Sequence, residues 1–169
     1  MKPKILILII VLFGVFSCTN QSNAPMTQEE KSIITNEIMA VSDQWIDDNK
    51  NMDADAAIHF WSTSPELRFA ENGEFFANRD SIQSTLHNYY AQTTSMNVKW
   101  LERDVRVLTQ SIALMAGKFQ FNIVFGDGSN WQGTNAFTGV FIKENEKWSL
   151  IQGHESTQSE ESSNHNTEI

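Results

Sequence analysis

Apolar side chains recur along the chain with two different periods, and the change between them divides it into a helical first part and a stranded second part. Thr27-Gln28-Glu29-Glu30 sets a hydroxyl three residues before a glutamate, the reciprocal capping box that opens a helix, directly ahead of a periodic stretch. Ile34, Ile38, Val41, Trp45 and Met52 follow at helical spacing and share one face, while Glu37, Asp47 and Lys50 fall away from it. That face predicts a helix packed on a sheet. Asp53 or Asp55 can cap a short second helix reaching Trp61, ended by Ser62 to Pro65. Leu67 to Ala70 and Phe75-Phe76 flank Glu71-Asn72-Gly73-Glu74, and Asn-Gly between apolar runs predicts a β-hairpin because both turn positions need positive φ. Asp80 is then expected to cap a third helix, with Ile82, Leu86 and Tyr89 or Tyr90 facing inward.

After the third helix the period drops to two. Four long strands are expected over residues 96–108, 111–125, 130–143 and 147–156, with turns at Gly126-Asp127-Gly128 and Glu144-Asn145-Glu146. Antiparallel partners should sum to about 254 across the first turn and about 290 across the second, and this arithmetic sorts the faces. One face gathers Met115, Phe119, Phe121, Ile123, Trp131, Asn135, Phe137, Phe141, Ile151 and Glu155. The other gathers Ile112, Leu114, Lys118, Gln120, Thr138, Val140, Trp148, Leu150, Gln152 and His154. A sheet wetted on one side alternates cleanly between apolar and polar, and this one carries apolar residues on both. The odd-numbered face is expected to meet the helices. The even-numbered face, apolar at the end holding Ile112, Leu114, Val140, Ile142, Trp148 and Leu150, predicts a homodimer through the sheet.

Ahead of the helices, Lys2 and Lys4 precede an apolar run from Ile5 to Phe16, too short for a permanent span of a ~30 Å hydrocarbon core and suited to an export signal. The run ends Val15-Phe16-Ser17-Cys18, which resembles the bacterial lipobox and implies cleavage after Ser17 and lipidation of Cys18. Two or more acyl chains at ~0.8 kcal/mol per buried CH₂ make a stable anchor. The expected organisation is therefore a signal peptide over residues 1–17, a polar tether over 18–26, one domain over 27–156 and a disordered tail over 157–169, in a bacterial cell envelope and facing the periplasm. Cys18 is the only cysteine, so the domain itself has no thiol or disulfide. The chain holds 12 basic and 21 acidic residues for a formal charge of −9, and loss of Lys2 and Lys4 takes it to −11. That balance argues against nucleic acid as a partner.

Three helices with a hairpin between the second and third, then a long antiparallel sheet, resemble the nuclear transport factor 2-like superfamily. Asn78-Arg79-Asp80-Ser81-Ile82 is similar to the start of the third helix in its SnoaL-like and polyketide-cyclase-like members. Thr138-Gly139-Val140-Phe141 and Lys147-Trp148 through His154-Glu155-Ser156 are similar to their closing strands. The resemblance implies an α+β cone, three helices on a curved, mainly antiparallel sheet around a cavity. Members include isomerase-, dehydratase- and cyclase-type enzymes as well as binders and oligomerisation modules, so the fold does not choose between them. Two positions that are cavity arginines in hub-like members align with Phe119 and Gly139 here, which argues against an anion held by a buried arginine pair.

With the odd face turned inward, Trp45, Phe60, Trp61, Trp100, Phe119, Phe121, Asn135, Phe137 and Glu155 are expected to line a cavity for a small, mostly apolar molecule. Proton transfer would need a desolvated carboxylate or imidazole, for which Glu155, His59 and Asp43 are the candidates. The four histidines show no metal-ligand spacing, and neither a metal nor another cofactor is expected. The sequence thus carries two readings: a membrane-anchored binding or dimeric interaction module, and an enzyme working by proton transfer.

Overall fold

The computed structural model describes residues 25–159. The signal segment, Cys18 and most of the expected tether and tail lie outside the described residues.

Helix α1 spans Gln28–Lys50, α2 Ala54–Ala57 and α3 Arg79–Ala91, with a 3-10 turn over Ile58–Phe60. The capping box at Thr27 forms in both directions, with Glu30 N–H to the Thr27 hydroxyl and Thr27 N–H to the Glu30 carboxylate. Asp53 caps α2 through the Ala56 N–H. The second helix is shorter than expected, because the chain tightens into the 3-10 turn and leaves Trp61 bridged in parallel to Leu150. The cap of α3 is Asn78, not Asp80: Asn78 is the extended residue and its side chain accepts from Ser81 N–H, while Asp80 lies in the first turn, where its charge suits the helix dipole.

Six strands form one mixed sheet: β1 Arg68–Glu71, β2 Glu74–Phe76, β3 Thr93–Thr109, β4 Ile112–Phe125, β5 Asn130–Glu144 and β6 Lys147–Ser159, in the order β2-β1-β6-β5-β4-β3. The predicted hairpin is β1–β2, with Asn72 and Gly73 at φ 47° and 93°. It joins the sheet through β1, which runs parallel to β6 with Glu71 opposite Glu155. The β4–β5 pairing follows the sum of 254 throughout, from Ile112 opposite Ile142 to Val124 opposite Asn130.

The β5–β6 register departs from expectation. A bulge between Val140 and Phe141 leaves Ile151 unpaired, so Phe141 faces Leu150 on one side of it and Val140 faces Gln152 on the other. The turn before it is the two residues Asn145 and Glu146, both at positive φ, rather than the expected three, so Glu144 pairs with Lys147 and partners near the turn sum to 291 rather than 290, which exchanges the faces of β6 there. Trp148 and Leu150 therefore point into the core rather than toward a partner, and Ile151, expected inside, is half-buried. Beyond the bulge Gly153 and Glu155 return to the inner face. β6 also continues to Ser159, three residues into the expected tail, paired with β5 as far as Gly133 and clasped by the hairpin turn: Asn72 Nδ2 donates to Thr157 Oγ1 and Thr157 N–H to Asn72 Oδ1, both at 2.9 Å.

Helix α1 is held to the inner face by its apolar side and by polar ties. Ile34, Ile38, Ser42, Trp45, Ile46 and Asn49 are its buried residues. Arg103 on β3 donates to Ser42 Oγ at 2.6 Å and to Met39 O at 3.2 Å, and Trp100 Nε1 donates to Ser42 O at 3.2 Å. Glu37, expected to point away, instead accepts from Trp148 Nε1 at 2.6 Å and Lys143 Nζ at 3.1 Å. The indole holds the Glu37 carboxyl below its ordinary range despite partial desolvation. These contacts fix the helix against β3, β5 and β6 and set the depth of the space beneath it.

Candidate functional site

The inner face of the sheet is divided in two. At one end, Phe60 from the 3-10 turn inserts among Trp45, Phe141, Trp61 and Phe137, at ring distances of 5.2, 5.5, 5.2 and 6.3 Å, and fills the space. At the other end nothing comparable enters, and a cavity of about 320 Å³ remains between the sheet, α1, α3 and the hairpin. Its apolar wall includes Trp45, Ile82, Leu86, Met96, Val98, Phe119, Phe121, Ile123 and Trp131, with Phe69 and Phe76 from the hairpin. This volume and lining match those of small-molecule sites.

Six of the expected residues, Trp45, Trp61, Phe119, Phe121, Asn135 and Glu155, line the cavity. Phe60, Trp100 and Phe137 do not; they stack on one another and on Phe119 and Phe141 in the packed end. Face parity places a side chain inside, and only the insertion of Phe60 decides whether it meets a neighbour or open space. His59 is exposed on the 3-10 turn, away from the cavity. Asp43 is exposed on α1 and pairs with Arg103 at 2.6 Å. Of the three proton-transfer candidates, Glu155 alone reaches the cavity.

Glu155 is 5% exposed, and Asn135 Nδ2 donates to its Oε2 at 3.1 Å. Burial pushes its carboxyl well above the ordinary range, the charge of Glu71 pushes it further, and the Asn135 amide opposes both. Glu71 is itself raised by burial. The charge of Glu71 thus adds to burial in disfavouring the ionisation of Glu155. Tyr89 on α3, raised to about 12 by burial and by the charge of Glu71, keeps its proton at neutral pH. Tyr90, also raised by burial, donates to Asn49 Oδ1 at 2.8 Å, and Asn49 Nδ2 donates to Trp45 O at 2.7 Å.

Four buried polar atoms of wall residues have no partner among the described residues: Trp45 Nε1, Trp61 Nε1, Tyr89 Oη and Asn135 Oδ1. An unsatisfied buried group costs about 1–3 kcal/mol, so four in one wall mark it as specialised for something other than stability. Among the described residues no three His, Cys, Asp or Glu side chains are grouped as a metal site. Glu71, Asn49 and Tyr89 are the principal wall residues not assigned to the cavity from sequence, although Tyr89 was one of two residues expected to face inward on α3. Alternation from Phe69 carried the signal for Glu71, since residues two apart on a strand share a face.

An α+β cone with a half-filled interior, closed by helices and carrying a buried carboxylate on its last strand, defines a class of proteins built around one internal cavity. The chain belongs to the SnoaL-like domain family, which it matches over residues 38–159, and it has the nuclear transport factor 2-like fold. A nuclear transport factor 2-like superfamily protein of Salmonella enterica superposes with a TM-score of 0.67 at 17% identity, covering 80% of this chain and 98% of that one. A hexachlorocyclohexane dehydrochlorinase of Novosphingobium barchaimii gives 0.67 at 5% identity, covering 78% and 91%. A nuclear transport factor 2-like protein of Shewanella oneidensis gives 0.60 at 17% identity, covering 73% and 98%. These similarities establish the shared fold. No curated protein matches the sequence.

Proposed function

We propose that the cone binds a small, mainly apolar molecule bearing one polar group, which Glu155 engages. The observation that carries this reading is the composition of the wall: aromatic and aliphatic over most of its area, with a buried carboxylate and an amide at one end. Burial of the apolar body supplies affinity at about 25 cal/mol per Å² removed from water, and the polar end supplies orientation. Native mass spectrometry of the chain purified from its own host tests it. A retained small molecule that is lost on Phe121→Asp supports the reading, and an empty wild-type chain opposes it.

A second reading is favoured by the chemistry of Glu155. A desolvated carboxylate with a raised pKa, in the same cavity as a tyrosine that stays protonated, supplies a base and a hydrogen-bond donor for proton transfer. In such a step the Glu155 carboxylate takes a proton from an activated C–H and Tyr89 donates a hydrogen bond to the oxygen or leaving atom that gains charge. The dehydrochlorinase among the structural neighbours is compatible with this reading through the fold alone. Deuterium exchange into the bound molecule from solvent separates the two: exchange abolished by Glu155→Gln with binding retained marks an enzyme.

We further propose that Cys18 is lipidated and tethers the domain to a bacterial envelope membrane on its periplasmic side. The support is the charged-then-apolar leader ending Val15-Phe16-Ser17-Cys18. No helix among the described residues is long and apolar enough to cross a membrane. Fractionation of Cys18→Ser is the test, with membrane attachment expected to be lost. The outer face of the sheet supports a homodimer even without Trp148 and Leu150, because Ile112, 36% exposed, and the half-buried Leu114, Val140 and Ile142 pair across β4 and β5 on that face.

A further inference from the structure

The polar end of the cavity is unusual in its signs. Glu71, Glu74 and Glu155 line it, and among the described residues no lysine, arginine or histidine does. The side chain that touches Glu155, Asn135, is 4% exposed and spends its N–H₂ on the carboxylate, which leaves its carbonyl oxygen at the same end, buried and without a partner. The end therefore offers acceptors, the carboxylates of Glu71, Glu74 and Glu155 and an amide oxygen, and among the described residues no positive group of the wall completes them. Carboxylates in such surroundings need a compensating charge or a proton.

The remaining wall chooses the kind of cation. An inorganic ion would exchange its water for hydrocarbon over most of the cavity, and the carboxylates are not grouped as metal ligands. The indoles of Trp45 and Trp131, the rings of Phe121 and Tyr89 and the apolar side chains beside them instead suit an organic body, and aromatic faces attract ammonium groups through their quadrupoles. Building on the small-molecule reading above, we infer that the occupant is an organic cation, an amine with an aromatic or branched apolar body, whose ammonium group donates to Glu155 and to Asn135 Oδ1 with Glu71 adjacent. An alcohol or a neutral amide can donate a hydrogen bond but leaves the neighbouring carboxylates uncompensated, so neither serves here.

The test uses three probes of one shape and three charges, 2-phenylethylammonium, 2-phenylethanol and 3-phenylpropanoate, titrated into the full chain in detergent and followed by calorimetry and by tryptophan fluorescence. The ammonium is expected to bind at least about tenfold more tightly than the alcohol, with the carboxylate weakest. Glu155→Gln should bring the ammonium down to the alcohol's affinity while leaving the alcohol unchanged, and Glu71→Gln should reduce the preference in part. Equal binding of ammonium and alcohol, or tighter binding of the carboxylate, overturns the cation assignment and leaves the apolar-cavity reading intact. A wild-type preference for the ammonium that survives both variants overturns it as well, by placing the charge recognition elsewhere. The comparison among probes on the wild type does not depend on either variant folding. The small-molecule reading is judged separately by the retained molecule.

Discussion

Glu71 and Glu155 stand opposite each other on the parallel strands β1 and β6, and both side chains reach the same cavity wall. Each is desolvated, and the charge of Glu71 raises Glu155. The folded state therefore holds a proton on Glu155 at pH values where the unfolded chain, near its ordinary 4.5, has lost it.

From this follows a pH dependence with a definite sign. A carboxyl whose folded pKa is raised contributes stability that is fully present below about 4.5 and is lost as pH rises toward the folded value. The melting temperature should fall over that window. Glu155→Gln, which cannot ionise, should flatten the slope and melt higher than wild type at neutral pH. Thermal unfolding from about pH 5 to pH 8 checks it, and an unchanged slope in the variant counts against the buried pair.

Trp148 should act on Glu37 in the opposite direction. The indole holds the Glu37 carboxyl low, so its contribution is present above about 4.5 and is lost as pH falls through the depressed value. Trp148→Phe should cost about 1 kcal/mol at neutral pH, discounted because Glu37 is 39% exposed, and the difference from wild type should shrink in acid. Denaturant melts at the two pH values measure it.

Gly139 is a packing constraint. A Cβ there would lie 2.7 Å from Phe137 Cζ and closer still to Leu150 Cδ1. Gly139→Ala should destabilise by about 1–3 kcal/mol through overpacking, read as a shift of the urea midpoint at constant slope.

The outer face of the sheet is open to a simple assay. If two copies join there, Ile112→Lys should convert a dimer to a monomer in size-exclusion chromatography with light scattering, with the circular dichroism spectrum unchanged. A wild-type monomer at micromolar concentration removes the dimer proposal.

Much of the scaffold could be read from the chain because it is encoded locally. The Thr27 box, the Asn72-Gly73 turn and the two-residue period of β4 and β5 each specify their own geometry, and the sum of 254 follows from one tight turn. The bulge at Ile151 has no comparable local mark, since one looped-out residue inside an apolar strand leaves composition and period almost untouched, yet together with the two-residue turn at Asn145 and Glu146 it sets Trp148 and Leu150 on the same face as Glu155. The pairing of Glu71 with Glu155 is invisible for a different reason. Parallel strands far apart in sequence share no turn, and nothing near either glutamate states which strand it will meet. Phe60, Trp100 and Phe137 were expected in the cavity because alternation reports a face, whereas the boundary between filled and open interior is set by three-dimensional packing.

The clasp between the hairpin turn and β6 offers one more measurement. Asn72→Gly keeps the positive φ at no steric cost and deletes the side chain that bonds Thr157 twice. Loss of about 1 kcal/mol is expected, together with faster hydrogen exchange at the Thr157 amide and little change in β4.

That same clasp gives the cavity its electrical character. A one-residue slip of β1 along β6 would turn Glu71 outward and bring Ala70 or Asn72 beside Glu155. The acidity of the chamber is therefore a property of alignment between two stretches of chain about 85 residues apart, held by the β1–β6 ladder and clasped by Asn72 rather than written in any one residue of the wall.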